Sequence, residues 1–427
     1  MLGLEPKAGR IGGLLWNRNF RLFWAGETTS MFGSSMAVIA MSFLAVLVLH
    51  ANNFIVGLLS AFAWLPWLII GLPAGAWVDR LPKRPVMLVC DAASFAVFLS
   101  IPLAAWTGVL TIAQLIAVAL LGGIAKVFFS TAFGPYVRMI AGTADLMEAN
   151  AKIEGSAAAA QVAGPGFSGL VTQILGAVSG IFINALTFAF SGYCLMRINA
   201  TEPQRVPPHE RRTTLWAEIS EGVRFVARDP YLRVMTLYAG IGNFGDAMFE
   251  AIVVVFLVRA VRVDAGLAGS LIAAMSLGGV LGAMVSVRIG RRLGTARGLL
   301  LCTVLASPCT LLIACTSRGG GLVFFVAGGI FYLTGVGASN VIMANFSQIY
   351  VPAHLLGRSN ATSDLIIRGT MPLGALVGAF VSQAYGPRIA VWVVAVVITL
   401  SSGILFIGPI RRERDLPAVL AGGEGKA

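Results

Sequence analysis

Apolar runs of about 20 residues, the length of a membrane-spanning helix, recur along nearly the whole chain. Short polar or charged breaks containing Gly and Pro separate them, and reading the runs against these breaks predicts twelve helices. The predicted spans are residues 20–48, 54–78, 86–106, 110–135, 152–175, 178–198, 232–258, 265–287, 297–316, 321–347, 361–384 and 388–409. The pattern therefore predicts an all-α polytopic membrane protein with twelve transmembrane helices.

The composition agrees with this fold class. Of 427 residues, 57% are hydrophobic and only 12% are charged, whereas a soluble protein carries about 25% charged residues. The mean hydropathy is +0.84. Because so little polar surface cannot coat a water-soluble body of this size, the composition argues against a soluble protein.

Basic residues alternate between the two sides of the predicted membrane. The net charge is +12, yet one set of loops holds only Arg259, Arg262, Arg318 and Arg388. Cytoplasmic loops carry the excess of Lys and Arg, so we expect a multi-pass protein of the cell membrane with both termini in the cytoplasm. The basic residues are not gathered into one face or tail, which favours contact with membrane lipids and argues against a nucleic-acid partner.

Cysteine and histidine show no pattern typical of a metal or cofactor site. Five cysteines lie within or beside apolar runs, three histidines lie in separate loops, and no CxxC pair occurs. The sequence also contains no Walker A motif and no convergent nucleophile and base. We therefore expect no metal, no cofactor and no enzymatic activity.

The two halves of the chain resemble one another across a long charged break. This break covers residues 199–231 and separates predicted six-helix halves at residues 1–198 and 232–427. The segment GPGFSGLVTQ at 164–173 aligns with GALVGAFVSQ at 374–383, and other matches fall at nearly the same offset. Duplicated membrane halves typically hold a transported substrate between them, near the middle of the membrane.

One predicted inner loop carries an unusual charge pattern between two apolar runs. It reads GAWVDRLPKR, and its notable residues are Gly75, Asp79, Arg80, Lys83 and Arg84. A glycine allows neighbouring helices to approach closely, and an aspartate is stabilised at the N-terminus of a helix. The basic residues alone are also explained as ordinary cytoplasmic loop charges.

This loop resembles the signature loop of the major facilitator superfamily, GxLaDrxGrk, with Pro82 in place of the second glycine. The segment NRNFRLFWAGETTSMFGSSM at residues 17–36 and the twelve-helix layout are similar to the drug:proton antiporter branch with macrolide-efflux and enterobactin-exporter relatives. The resemblance implies the major facilitator fold, built from two six-helix pseudo-repeats. It also implies that Asp79 meets helix 11 near residues 359–364, as a latch that stabilises one access state.

A second resemblance lies in the fifth span. The segment AQVAGPGFSG is similar to the antiporter motif GxxxGPxxGG, and Gly164, Pro165 and Gly169 match it, whereas Ala160 and Ser168 replace glycines. The match implies export over import. The alternative is close packing of small residues between membrane helices.

Charged residues inside apolar spans are costly and are therefore candidates for function. Glu27 in span 1 and Lys126 in span 4 lie at similar depths, so we expect them to approach each other, as a proton-coupling pair or as a static ion pair. Asp246 and Glu250 lie four residues apart on one face of span 7. Two such carboxylates tend to share one proton, which suits a proton carrier; the alternative is that Glu250 is hydrated or pairs with Arg259.

Three further charges are expected beside the latch. Asp91, near the inner end of span 3, is predicted to join the loop cations, and Asp364 is predicted to pair with Arg368 on span 11. Five uncharged side chains are candidate contacts of the cavity, with helix packing as the alternative for each: Asn243, Asn345, Gln348, Phe128 and Phe249.

These features predict a secondary active transporter that exports amphipathic, drug-like small molecules by proton antiport with alternating access. Its expected partners are a small-molecule substrate, protons and membrane lipids, and it is expected to be a monomer. The alternative is a dedicated exporter of one endogenous metabolite or siderophore. A non-transporting receptor or a membrane enzyme is less consistent with the repeat and the charged loop.

Overall fold

The computed structural model describes residues 13–142, 144–200 and 223–417, except for the side chains of Leu72, Ala76, 353–358, 360 and 361. Long helices follow one another along the described chain, with no β-strand in those ranges. They are α1 Arg18–Phe43, α2 Asn53–Asp79, α3 Lys83–Trp106, α4 Ile112–Ala141, α5 Leu146–Leu175, α6 Ala177–Arg197, α7 Pro230–Val255, α8 Ala265–Leu293, α9 Thr295–Ala314, α10 Leu322–Tyr350, α11 Ala353–Tyr385 and α12 Pro387–Gly403. A 3₁₀ turn at Ser307–Cys309 interrupts α9.

Ten of these helices are long and apolar enough to cross a membrane. The other two are α5, which begins with a charged turn, and α7, which carries Asp246 and Glu250 along its length. The predicted all-helical membrane fold is therefore confirmed, and the crossings by α5 and α7 stay a prediction.

Polar side chains fix where helices begin. The side chain of Asn52 accepts a hydrogen bond from the backbone N–H of Ile55 at the start of α2. Asp264 does the same for the N–H of Leu267 at the start of α8. Each satisfies a backbone donor that has no partner within the helix. The two caps occupy corresponding places in the two halves of the chain.

The backbone itself carries an internal repeat. α1 continues into a π-helical turn at Leu44–Val48, and α7 continues into another at Phe256–Val261. Each turn leads to a non-glycine residue with a positive φ, 47° at His50 and 63° at Arg262. Two glycine pairs with positive φ repeat at a similar separation of about 210 residues, Gly108 with Gly319 and Gly176 with Gly386. These matches support the duplication that the sequence predicts.

Small residues bring the two halves together along two helix pairs. A Cβ atom built on Gly57 of α2 would lie 2.3 Å from the Cβ of Ala379 on α11. A Cβ atom built on Gly169 of α5 would lie 2.8 Å from the Cα of Gly269 on α8. Backbones this close leave no room for larger side chains at the glycines. The crossing of α2 with α11 and the crossing of α5 with α8 occupy equivalent places in the internal repeat.

The hydrophobic core joins the halves at one end of the bundle and separates them at the other. At the end with residues 49–52 and 262–264, one cluster contains Phe43 of the first half and Phe256 of the second. We call this the closed end. At the opposite end, which includes residues 80–82, the core divides into two clusters, one in each half. We call it the open end.

Hydrogen bonds also join the halves at the closed end. Arg259, in the turn after α7, donates to the side chain of Asn53 and to the backbone oxygen of Ala51. Asn53 in turn donates to the backbone oxygen of Ser382 at the end of α11, at 2.9 Å. Three hydrogen bonds between the halves thus involve only two side chains, those of Asn53 and Arg259.

The division into halves at 1–198 and 232–427 stays a proposal, which the repeat supports. Most of the predicted central loop, residues 201–222, lies outside the described residues, and residues 223–228 are helical.

Candidate functional site

Three charged side chains from different helices come together between the halves. Lys126 of α4 interacts electrostatically with Glu250 of α7 and with Arg368 of α11. α4 belongs to the first half and the other two helices to the second. The structure therefore brings together two predicted site residues, Lys126 and Glu250, with Arg368, which the sequence analysis had placed beside the latch.

Two tryptophans of α2 complete this cluster. The Nζ atom of Lys126 lies 5.4 Å from the ring centroid of Trp64, and the polar N–H of Trp64 also interacts with Glu250. The Cζ atom of Arg368 lies 4.5 Å from the ring centroid of Trp67. Both separations are typical of cation–π contacts. Because the tryptophans are three residues apart, they share one face of α2.

We call Trp64, Trp67, Lys126, Glu250 and Arg368 the central cluster. The side chain of Lys126 is exposed, and the other four are partly exposed, although they lie among helices of both halves. Lys126 does not face lipid, because its contacts come from α2, α7 and α11. The central cluster therefore lines a solvent-accessible space between the halves, at the middle of α2, α4 and α11.

The predicted approach of Glu27 to Lys126 is wrong. Glu27 interacts instead with Asp91 of α3. A Cβ atom built on Gly26 would lie only 3.0 Å from the Cβ of Cys194, so this side of α1 packs closely against α6. The adjacent Glu27 has Asp91 of the neighbouring α3 as its charged partner.

Asp91 also differs from its predicted place beside the loop cations. It is 2% exposed, it interacts with Ser191 of α6, and its electrostatic neighbour is Glu27. Depth in the bundle separates it from the charged loop. Glu27 and Asp91 thus form a buried acidic pair inside the first half.

A second acidic pair lies in the second half, as the spacing predicts. Asp246 and Glu250 of α7 interact electrostatically, and the hydroxyl of Tyr332 on α10 donates to Asp246 at 2.6 Å. The alternative pairing of Glu250 with Arg259 is not present, because Arg259 donates to Asn53 and Ala51 at the closed end.

The predicted ion pair between Asp364 and Arg368 is also wrong. Within the described residues no salt bridge joins them. Asp364 is exposed one helical turn closer to the open end, whereas Arg368 lies over the ring of Trp67. The guanidinium of Arg368 lies over the indole of Trp67 instead of beside Asp364, because that ring is on the facing helix α2 at the same depth.

Basic side chains at the charged loop between α2 and α3 donate hydrogen bonds to backbone oxygens within the first half. Arg84 donates from Nε to the backbone oxygen of Leu195, at 3.0 Å, and from a terminal nitrogen to that of Met196, at 2.9 Å. These are carbonyls of the last turn of α6, where backbone acceptors lack some of their partners within the helix. Lys83 donates to the backbone oxygen of Val78 at 2.6 Å. Both cations thus stabilise helix ends of the first half.

The remaining part of the latch prediction concerns Gly75, Asp79 and Arg80. Among the described residues, a Cβ atom on Gly75 would meet no heavy atom within 4 Å; side chains of the facing part of α11 lie outside the described residues, so the close approach at this glycine stays a prediction. Asp79 and Arg80 are exposed. The predicted contact of Asp79 with α11 falls largely on side chains outside the described residues, and the latch stays a prediction.

The glycines of the antiporter-like motif pack closely, as the alternative interpretation predicts. A Cβ atom on Gly164 would lie 2.4 Å from Oγ of Ser35 on α1, and Gly169 forms the crossing with α8. The carbonyl oxygen of Pro165 would lie 2.5 Å from a Cβ atom on Gly269. α5 therefore links α1 to the second half through this motif, and its bearing on export stays a prediction.

The five candidate cavity residues lie in other surroundings. Asn243 donates within its own helix to Ala239, Phe249 lies 6.4 Å from Phe325 in the closed-end core, and Phe128 stacks on Trp77 at 6.1 Å. Asn345 lines a separate cavity of about 340 Å³ between α8, α10 and the segment at Leu416, and Gln348 is exposed.

Sequence reasoning missed Trp64, Trp67 and Tyr332. The pair of tryptophans three residues apart inside one apolar span was a usable signal, since indole rings suit cation contacts. Within the described residues, no group of His, Cys, Asp and Glu side chains is arranged to hold a metal ion.

Comparison with known proteins gives consistent results. The family model described as transmembrane secretion effector matches residues 14–417. The multidrug efflux pump Tap of Mycobacterium tuberculosis is 27% identical over 370 residues, covering 82% of this chain and 84% of that protein. A mutant of the nucleoside transporter NupG aligns with a TM-score of 0.76 at 13% identity, covering 92% of this chain and 99% of that one. A bacterial homologue of the iron transporter ferroportin, in an inward-facing state, aligns with a TM-score of 0.72 at 14% identity, covering 91% and 98%.

Proposed function

Because the chain belongs to the transmembrane secretion effector family of major facilitator transporters, we propose that it exports amphipathic, drug-like small molecules by proton antiport. The central cluster is the observation that carries this proposal. Charged and aromatic side chains line a solvent-accessible space between two halves, where duplicated transporters bind their substrates. The similarity to a protein named as a multidrug efflux pump favours export of drug-like molecules.

Alternating access is supported by the difference between the two ends. The closed end has a continuous core and hydrogen bonds between the halves, whereas the core of the open end is divided. The open end carries the loops rich in Lys and Arg, and by the positive-inside rule this supports a cytoplasmic position for it. In the proposed cycle this conformation is inward-facing, in the cell membrane, with both termini inside.

The proton carrier in this proposal is the pair Asp246 and Glu250. Glu250 interacts with Lys126 across the halves and with Trp64 of α2. Protonation of Glu250 removes the attraction to Lys126 and so weakens one link between α4 and α7. The buried pair Glu27 and Asp91 is the second candidate, because two neighbouring carboxylates tend to hold one proton between them.

The test is transport in proteoliposomes with and without an imposed pH gradient, using a panel of labelled amphipathic drugs. We expect flux that needs the gradient and is lost in Glu250→Gln and Asp246→Asn. Glu154→Gln, at an exposed position of α5, is the matched control and should transport like the unchanged protein. Loss of flux in Glu27→Gln alone would assign the proton carrier to the pair Glu27 and Asp91 in the first half.

The panel also separates the proposal from its rivals. Flux of one compound only, with no response to the rest, favours a dedicated exporter of an endogenous metabolite. Saturable flux without any need for a pH gradient contradicts proton antiport, and no flux in either direction favours a receptor. Mass measurement of the purified protein in lipid discs tests the expected monomer.

A further inference from the structure

The central cluster holds more positive than negative charge. It contains two cations, Lys126 and Arg368, and one carboxylate, Glu250. The next carboxylate along α7, Asp246, accepts a hydrogen bond from Tyr332 and is not among the charged neighbours of Lys126. Asp364 is exposed and forms no ion pair with Arg368. The site therefore carries a cationic excess in a space between membrane helices.

This excess is not relieved by the two tryptophans. Lys126 and Arg368 are close enough to repel each other, and an indole face attracts a cation weakly compared with a full negative charge. A guanidinium over a ring keeps the in-plane N–H donors that bind carboxylates in pairs. An ammonium group likewise keeps donors that point away from the ring. Both cations are thus free to bind an anionic group of a ligand while they stay over the rings.

We propose that Lys126 and Arg368 form a subsite for the acidic group of an amphipathic aromatic substrate, with Trp64 and Trp67 beside its apolar part. The inference rests on the proposed function and names the substrate class: amphipathic aromatic molecules that carry a carboxylate, alone or as a zwitterion. A purely cationic amphiphile is repelled by the same two side chains. Glu250 forms an ion pair with the amino group of a zwitterionic substrate.

Because the two cations lie on different halves of the protein, carboxylate binding is expected to affect how the halves pack. Lys126 lies on α4 of the first half and Arg368 on α11 of the second. A bound carboxylate cancels their repulsion and connects the two helices, so that substrate binding favours closure of the open end. A ligand without an acidic group makes no such connection.

Three dansyl probes of equal ring size test the subsite in purified protein held in lipid discs. Dansylglycine carries a carboxylate, dansylcadaverine carries an amine, and dansylamide is neutral. Energy transfer from the tryptophans to the dansyl group reports binding, and Trp64→Phe lowers the signal without removing the cations. We expect dansylglycine to bind most tightly and dansylcadaverine most weakly.

Charge variants then assign the preference to the two cations. Lys126→Gln and Arg368→Gln should each weaken dansylglycine binding by roughly tenfold, the loss of one charge-assisted contact, and should leave dansylamide binding unchanged. Lys126→Arg and Arg368→Lys keep the charge and should retain most of the affinity. Arg318→Gln, at an exposed loop position, is the control with the same charge change. Elution as a single peak in size-exclusion chromatography shows that each variant is folded.

The subsite is refuted if dansylcadaverine binds more tightly than dansylglycine. It is also refuted if dansylglycine binds to Lys126→Gln and Arg368→Gln as tightly as to the unchanged protein. The binding readout is separate from transport. Gradient-driven flux together with a preference for the cationic probe would refute the subsite and leave the exporter standing. A carboxylate preference without gradient-driven flux would support the subsite and refute proton antiport.

Discussion

A Cβ atom built on Gly269 of α8 would lie 2.7 Å from the Cα of Gly169 on α5, so the two halves of the protein touch backbone to backbone at this point. The repeat relates this crossing to the one between Gly57 and Ala379. Both lie toward the closed end, where the core is continuous. The closed end is therefore held by contacts that only very small side chains permit.

Gly169→Leu should open the closed end. Overpacking costs about 1–3 kcal/mol, which lowers the closed population by roughly tenfold. Spin labels at Val109 and Ala384, both exposed at this end, report the distance between the halves by electron double resonance in a variant without native cysteines. The distance distribution should shift to longer values. Gly155→Leu on the same helix, where an added Cβ meets nothing within 4 Å, should leave it unchanged; an equal shift in both variants would contradict the prediction.

Arg259→Gln should weaken the same end through hydrogen bonding. The guanidinium donates to Asn53 and to the backbone of Ala51, and such charged hydrogen bonds contribute about 1.5–3 kcal/mol each. The same spin-label pair should show a larger fraction of long distances, and Asn53→Ala should do the same. Arg318→Gln changes the charge identically at an exposed loop and serves as control. An unchanged distribution in Arg259→Gln would show that packing alone holds this end.

Tyr332→Phe should destabilise the second half. The variant removes the donor that lies 2.6 Å from Asp246, and loss of a hydrogen bond to a carboxylate costs about 1.5–3 kcal/mol. The midpoint of thermal unfolding in detergent should fall by several degrees. Tyr385→Phe removes a hydroxyl from a tyrosine that is 66% exposed and should unfold like the unchanged protein. Equal midpoints for the two variants would mean that the hydroxyl of Tyr332 contributes nothing to stability.

Arg84→Gln should loosen the end of α6. The arginine donates to two backbone oxygens in the last turn of the helix, those of Leu195 and Met196. We expect a loss of about 1–2 kcal/mol of stability and faster amide hydrogen exchange at residues 193–198. Arg84→Lys offers only a single point of contact and should recover part of the protection. Arg138→Gln, exposed at the same end of the bundle, is the control, and exchange that rises equally in both would contradict the capping role.

The sequence by itself determined the helices, the membrane fold and the duplication. Apolar runs of membrane-spanning length, broken by Asn, Asp and Gly, are local features, and a helix satisfies its own backbone hydrogen bonds within one segment. Positions of charges along the chain also indicated which of them lie within membrane-spanning helices. This is why Lys126 and Glu250 stand out in the sequence as candidate site residues.

Only the tertiary structure decided which of these charges meet. Partners depend on the rotation of each helix about its axis, which is set by its packing against other helices; Glu27, for example, meets Asp91 of α3 and not Lys126 of α4. The same reason explains why Arg368 lies over Trp67 and not beside Asp364. The closed and open ends were equally beyond the sequence, because no local feature of either half specifies how the two halves pack against each other.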